Sequence, residues 1–177
     1  MNRSTINKQE KSSFEENPEC FLADMIGGYV RESEANRLMQ FGGEPIFEEP
    51  LIGFADGDDP LFNEYRRVVH EKHFTPREIL VKHLAQTLKI DNPQIPSVSV
   101  ISYVLPANRK TIRSNAAEKE GPSLRWNHTR WKGQDFINAL SLHLVAKLEE
   151  MGVYAVAPDM SPFFKILTTP DGFASNW

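Results

Sequence analysis

The nine residues from Arg125 to Gly133 read R-W-N-H-T-R-W-K-G. They gather two indoles, two guanidinium groups, an amine and an imidazole in one short stretch. A guanidinium holds a phosphate or an amide through paired N–H donors, whereas an ammonium acts as a point charge. An indole offers a flat apolar face on which a macrocycle or a base stacks. Arg125, Trp126, His128, Arg130 and Trp131 are therefore candidate ligand-binding residues, with Tyr103 upstream as a sixth. The competing reading makes both tryptophans core anchors and Tyr103 a core tyrosine with its hydroxyl at the rim. His128 has no second His, Cys or carboxylate at metal-ligand spacing, which leaves general-acid chemistry rather than metal binding. His143, His70, His73 and His83 read as structural or exposed.

The elements that must position these residues run from Val98 to Ala157. Val98–Leu105 alternates Val98, Val100 and Val104 on one face with Ile101, Tyr103 and Leu105 on the other, which predicts a strand buried on both sides. A stripe of Ile137, Leu140, Leu144 and Leu148 predicts a helix from about Asp135 to Met151, with Gly152 as its stop. Asp135 then reads as a cap or first-turn acid. Val153–Ala157 is expected as a second short strand, and Phe163–Leu167 as a further one. The candidate residues would occupy a long polar loop between strand and helix, where functional residues concentrate. Arg109, Lys110, Arg113 and Lys119 extend its basic character, as a solvated loop or as a phosphate or nucleic-acid contact.

Upstream, Pro18–Met39 has helical spacing at Phe21, Leu22, Met25, Ile26, Tyr29 and Val30, weakened at Gly27-Gly28, and Ser33 is a capping residue for a further turn. Residues 40–60 read as a packed loop, because prolines, glycines and acids interrupt any long regular element. The run Asp56-Gly57-Asp58-Asp59 reads as a solvated turn, since it lacks the ligand spacing of an EF-hand. Leu61–His70 is expected to be helical. Thr75-Pro76-Arg77-Glu78 has the residues of a capping box and starts a helix to about Leu88.

The chain has 177 residues, 40% apolar and 25% charged, with a net charge of −4. That suits a globular domain with no overall attraction to nucleic acid. No apolar run has the length of a membrane span and the polar N-terminus is not a signal peptide, so a cytoplasmic location is expected. Cys20 is the single cysteine, so no intrachain disulfide forms and cysteines of this chain alone cannot hold an iron–sulfur cluster. Glycine-rich phosphate loops, nucleophile elbows and Cys/His dyads are missing, which leaves hydrolase and nucleotidyl-transfer chemistry without a basis.

Four segments carry a resemblance: G-G-E-P-I-F-E-E-P-L-I-G-F-A-D-G-D-D-P-L-F (42–62), H-F-T-P-R-E (73–78), V-I-S-Y-V-L-P (100–106) and R-W-N-H-T-R-W (125–131). Together they resemble the N-terminal region of epoxyqueuosine-reductase-like proteins, cobalamin- and iron–sulfur-dependent reductases related to reductive dehalogenases. The resemblance spans roughly residues 20–177. It implies a nitroreductase-like α/β core that holds cobalamin, with Tyr103, Arg125, Trp126, His128, Arg130 and Trp131 toward the cofactor or substrate. It also implies a ferredoxin-like module with two four-iron clusters further along a longer protein, and tRNA or a small organic substrate as partner. Asp159, in A-P-D-M-S-P, is the residue the resemblance suggests as proton donor, with Asp171 in reserve. A carboxylic acid donates at neutral pH only where burial raises its pKa.

The expected fold class is α+β: a small central sheet flanked by helices in a nitroreductase-like sandwich, incomplete in this chain. The expected organisation is a polar tail over 1–17, a helical and loop region over 18–96, and an α/β core portion over 97–177. The ending Asp171-Gly-Phe-Ala-Ser-Asn-Trp177 reads as an exposed terminus and suggests a piece of a longer protein. The expected function is one wall of the cofactor and substrate cavity of such a reductase, inactive without its redox half. A stand-alone binding module without redox activity, and a flavin-binding nitroreductase-like protein, are the alternatives. A fold by itself does not select between them.

Overall fold

A computed structural model describes residues 8–177. Helices α1 (Lys8–Glu16) and α2 (Pro18–Glu32) come first, then the two-residue strands β1 (Arg37–Leu38) and β2 (Glu44–Pro45). The strand β3 (Leu51–Asp56) leads to helices α3 (Leu61–Val68) and α4 (Pro76–Gln86). After β4 (Ser99–Val104) come α5 (Arg109–Ala116) and the 27-residue α6 (Leu124–Glu150). A hairpin of β5 (Ile166–Thr169) and β6 (Gly172–Ser175) closes the order. The class is α+β, as the sequence pattern predicts.

The sheet arrangement differs from the expected one. The described strands form three separate two-stranded ribbons, β1–β2, β3–β4 and β5–β6, rather than one central sheet. Val153–Ala157 forms no strand, and the partner of β4 is β3, which lies in a stretch the sequence presents as loop. Only one residue of β4 and its immediate flank, Val98, is buried, so the strand is not enclosed on both faces. Phe163–Leu167 overlaps β5 only at its end. An apolar run of branched residues is the same in a buried strand and in an exposed ribbon, and pairing decides between them.

The chain divides into two compact units, one containing the chain up to Ile52 together with Tyr103–Met151, the other containing Gly53–Ser102 and Gly152–Trp177. In the first unit the core is mainly helical. Leu22, Ile26 and Val30 line one side of α2, and Phe136, Leu140, Leu144 and Leu148 line α6. Leu38 of β1 and Ile46, just after β2, are fully buried. Buried Asn36 satisfies its whole amide: Nδ2 donates to the Val30 and Phe47 carbonyls at 2.8 and 3.0 Å, and Oδ1 accepts from Phe47 N at 2.9 Å. It fixes the exit from α2 without an orphaned polar group. Gly27-Gly28 does not break α2, and Ser33 caps the following 3₁₀ turn through Ala35 N.

The largest departure is α6. It begins at Leu124, so Arg125–Gly133 is helix rather than loop, and Asp135 is a mid-helix residue paired with Lys132 at 3.6 Å instead of a cap. The true cap is Ser123, whose hydroxyl accepts from Trp126 N at 3.1 Å. The polar run before it also contains α5, capped by Asn108 through Lys110 N. The buried positions before Phe136 in α6 are Thr129 and Gly133, too small to show as an apolar stripe. A Cβ on Gly133 would meet the Phe47 ring at 2.8 Å, so glycine is what permits this close approach.

In the second unit, α4 starts at a complete capping box. Thr75 Oγ1 accepts from Glu78 N, and Glu78 Oε2 accepts from Thr75 N at 2.9 Å, as the sequence predicts. Ile79, Leu84 and Val98 are its buried apolar residues. The acidic turn is consumed internally: Asp58 takes the Arg77 fork at 2.5 Å on both nitrogens, and Asp56 accepts from Asp58 N. Trp177 is half-buried and stacks on His73, with ring centroids 6.3 Å apart.

Candidate functional site

Within the first unit, the opening turns of α6 build a compact polar cluster. Gly42 and Gly43 both adopt left-handed backbone, φ 76° and 72°, and turn the chain so that Glu44 meets α5 and α6. Glu44 accepts from both Arg125 and Lys110. Arg125 Nε also donates to Thr111 Oγ1 at 2.9 Å, and its guanidinium carbon stands 5.1 Å from the centre of the Phe41 ring. Its side chain is only 11% exposed, which a guanidinium tolerates because it is paired with a carboxylate, a hydroxyl and an aromatic face. Hydrogen bonds from Lys110 and then Arg125 hold the Glu44 carboxyl below the usual carboxylate range. His128 meets the same Phe41 ring edge-on, centroids 5.7 Å apart.

The candidate residues therefore separate. Arg125 and His128 converge on Phe41. Tyr103 shares a 2.7 Å hydrogen bond with Ser141, sixteen residues further along α6 than Arg125. At the helical rise that is roughly 24 Å along the axis, so Tyr103 is remote from the cluster. Trp126 is half-buried, whereas Trp131 is 78% exposed. Five residues on a helix separate their directions by about 140°, so the two indoles cannot flank one planar ligand. Arg130 is exposed and has no partner among the described residues.

Asp159 lies in the second unit, exposed on a 3₁₀ turn, Pro158–Met160, and Asp171 is exposed in the β5–β6 turn. Neither has the burial that a neutral-pH proton donor needs. Among the described residues no three His, Cys, Asp or Glu side chains are grouped to hold a metal, and Cys20 is exposed. No helix of the described residues is long and apolar enough to cross a membrane.

Sequence reasoning missed Glu44, Thr111, Phe41 and Ser141, the partners that decide which candidates stay free. The signal available for Glu44 is its place directly after a glycine pair. Set against the candidates, the free chemistry is a flat indole at Trp131, an unpaired guanidinium at Arg130 and an imidazole edge at His128. Arg130 lies about 100° around the helix from Trp131 and about 200° from His128, so the three share no single face: Trp131 offers a surface for stacking, Arg130 a rim contact for an anion or amide, and His128 stays with Phe41. No family model, no curated protein and no solved structure matches this chain.

Proposed function

We propose that the chain supplies one wall of the cofactor and substrate cavity in a cobalamin- and iron–sulfur-dependent reductase of the epoxyqueuosine reductase type. The four sequence segments that resemble that family motivate the reading. One structural observation carries it: Trp131, inside one of those segments, exposes 78% of its surface on a helix, next to an unpartnered Arg130. Tryptophan is highly buried on average, and this indole leaves a flat apolar face open on a helix.

In this reading Trp131 packs against the flat corrinoid and Arg130 binds an amide or phosphate at its rim. Cobalamin, when bound, would supply the reducing metal centre. The residues of this chain bind, orient and shield it. Arg125 keeps the helix start in place rather than touching the ligand, because its guanidinium is already committed. Iron–sulfur clusters belong to a ferredoxin-like part that this chain's single cysteine cannot form. tRNA or a small organic molecule is the proposed substrate.

Titration with cobalamin, followed by corrin absorbance and tryptophan fluorescence, tests this. We expect saturable binding that Trp131→Ala and Arg130→Ala each weaken by about 1–3 kcal/mol, the scale of a lost stacking or charged contact. Cobalamin that fails to bind, or binds these variants as tightly as the parent chain, rejects the reading. A yellow protein as purified would favour a flavin instead.

A further inference from the structure

The second unit contains a cleft of about 650 Å3, a volume typical of small-molecule sites. Glu78, Lys82 and Gln86 line it from α4, spaced so that all three share one helix face. Phe74 and Lys72 enter from the segment before α4, and Phe163 and Lys165 from the segment before β5. Buried Asn176 holds these two walls in place. Its Oδ1 accepts from Lys165 N at 2.8 Å, its Nδ2 donates to the Phe163 carbonyl at 2.8 Å, and its own carbonyl accepts from Phe74 N at 2.9 Å. The aromatic walls are thus set before any ligand arrives, which lowers the ordering cost of binding.

The charge is equally specific. Four cations and two carboxylates line the cleft, an excess of two positive charges in a chain of net charge −4. Arg66 is committed to Glu78 and to the His73 carbonyl. Lys72, Lys82 and Lys165 have no carboxylate partner among the described residues. Lys82 Nζ stands 5.0 Å from the Phe74 ring centre and 5.2 Å from that of Phe163, a cation held between two aromatic faces. Three ammonium point charges with no free guanidinium fork suit a multiply charged phosphate better than a carboxylate. Phe74, Phe163, Pro162 and Leu167 offer the apolar surface for a ring.

We propose that this cleft binds a small phosphate ester with a planar ring, of the nucleoside monophosphate class. Its phosphate meets Lys72, Lys82 and Lys165, and its ring lies against Phe74 or Phe163. The site shares no residue with the wall described above, so neither proposal depends on the other.

Calorimetric titration of the whole chain with adenosine monophosphate, inorganic phosphate and adenosine, each alone, tests this. Saturable binding of the monophosphate, tighter than either half, is expected. Lys165→Ala removes an exposed charge, and Lys82→Met removes the enclosed one while keeping its length. Each is expected to weaken the monophosphate by roughly tenfold. Phe163→Leu is expected to narrow the preference for the monophosphate over inorganic phosphate. Circular dichroism confirms that each variant is folded, and Lys165→Ala alone suffices if Lys82→Met is not. The proposal is overturned if no probe saturates at millimolar concentration. It is equally overturned if inorganic phosphate binds as tightly as the monophosphate, or if Lys165→Ala binds unchanged.

Discussion

Arg125 and Arg130 are five residues apart on one helix and have opposite fates. Arg125 donates to Glu44 and Thr111 and covers the Phe41 ring; Arg130 stands in solvent. Arg125→Ala leaves the buried Thr111 hydroxyl with only its 3.4 Å contact to Thr129 and is expected to destabilise the fold by about 2 kcal/mol, the cost of losing charged hydrogen bonds. Arg130→Ala and Trp131→Ala are expected to stay within about 0.5 kcal/mol of the parent, as surface substitutions do. Urea denaturation of the three variants measures the contrast. Equal midpoints for all three would show that the Arg125 cluster adds no stability.

Two elements carry tests of their own. For α4, Thr75→Ala removes half of a capping box and is expected to cost about 1 kcal/mol, read as a lower denaturation midpoint with an unchanged slope. For α6, Gly133→Ala sets two effects against each other. Alanine gains up to about 1 kcal/mol of helix propensity. Its Cβ would stand 2.8 Å from the Phe47 ring, which is itself packed on buried Phe136 at 5.8 Å between centroids. Overpacking of this kind costs about 1–3 kcal/mol, so the substitution is expected to be destabilising overall. A more stable Gly133→Ala protein would mean that the ring yields freely and that glycine is not required where α6 crosses Phe47.

For the whole molecule, the folded state resists protonation at several points, and this predicts the pH dependence of stability. Burial lowers the His143 pKa from its ordinary 6.5, Lys147 lowers it further, and Glu150 opposes. His143 also stacks on Tyr29 with centroids 4.5 Å apart. Because the unfolded chain protonates this imidazole first, stability begins to fall as pH drops below 6.5. Glu44, with Lys110 and Arg125, lies below its ordinary 4.5. Asp58, with Arg77, lies below 3.8. For Glu78, burial pushes the carboxyl up, but the Thr75 N–H and Arg66 together hold it below 4.5. Those carboxylates contribute fully above their unfolded values, and their contribution is lost as pH falls through the lower folded values. Melting temperature is therefore expected to decline in two stages. His143→Gln should abolish the decline that starts below pH 6.5 and leave the acid stage intact. An unchanged profile would exclude His143 as its source.

Local chemistry was readable from the residues alone. Thr75 and Glu78 bond to groups three positions away, and the helices that begin at Pro18 and Pro76 satisfy their own backbones, so short-range spacing places them, although α2 ends at Glu32 rather than extending toward Met39. The same holds for the α+β class and for the stripe of Leu140, Leu144 and Leu148, with buried Phe136 in place of Ile137 at its start. The start of α6 was not readable, because its inward residues answer distant partners: Thr129 meets Thr111, and Gly133 admits Phe47, 86 positions away in the chain. Strand pairing was not readable either: nothing local tells β4 to pair with β3 rather than with Val153–Ala157. Which candidate residues remain available was decided at the same range. Glu44 reaches Arg125 and Ser141 reaches Tyr103 across long separations, and each contact withdraws a side chain that its own neighbours leave free. Residue type and spacing set what these groups can do, and tertiary packing decides which of them still can.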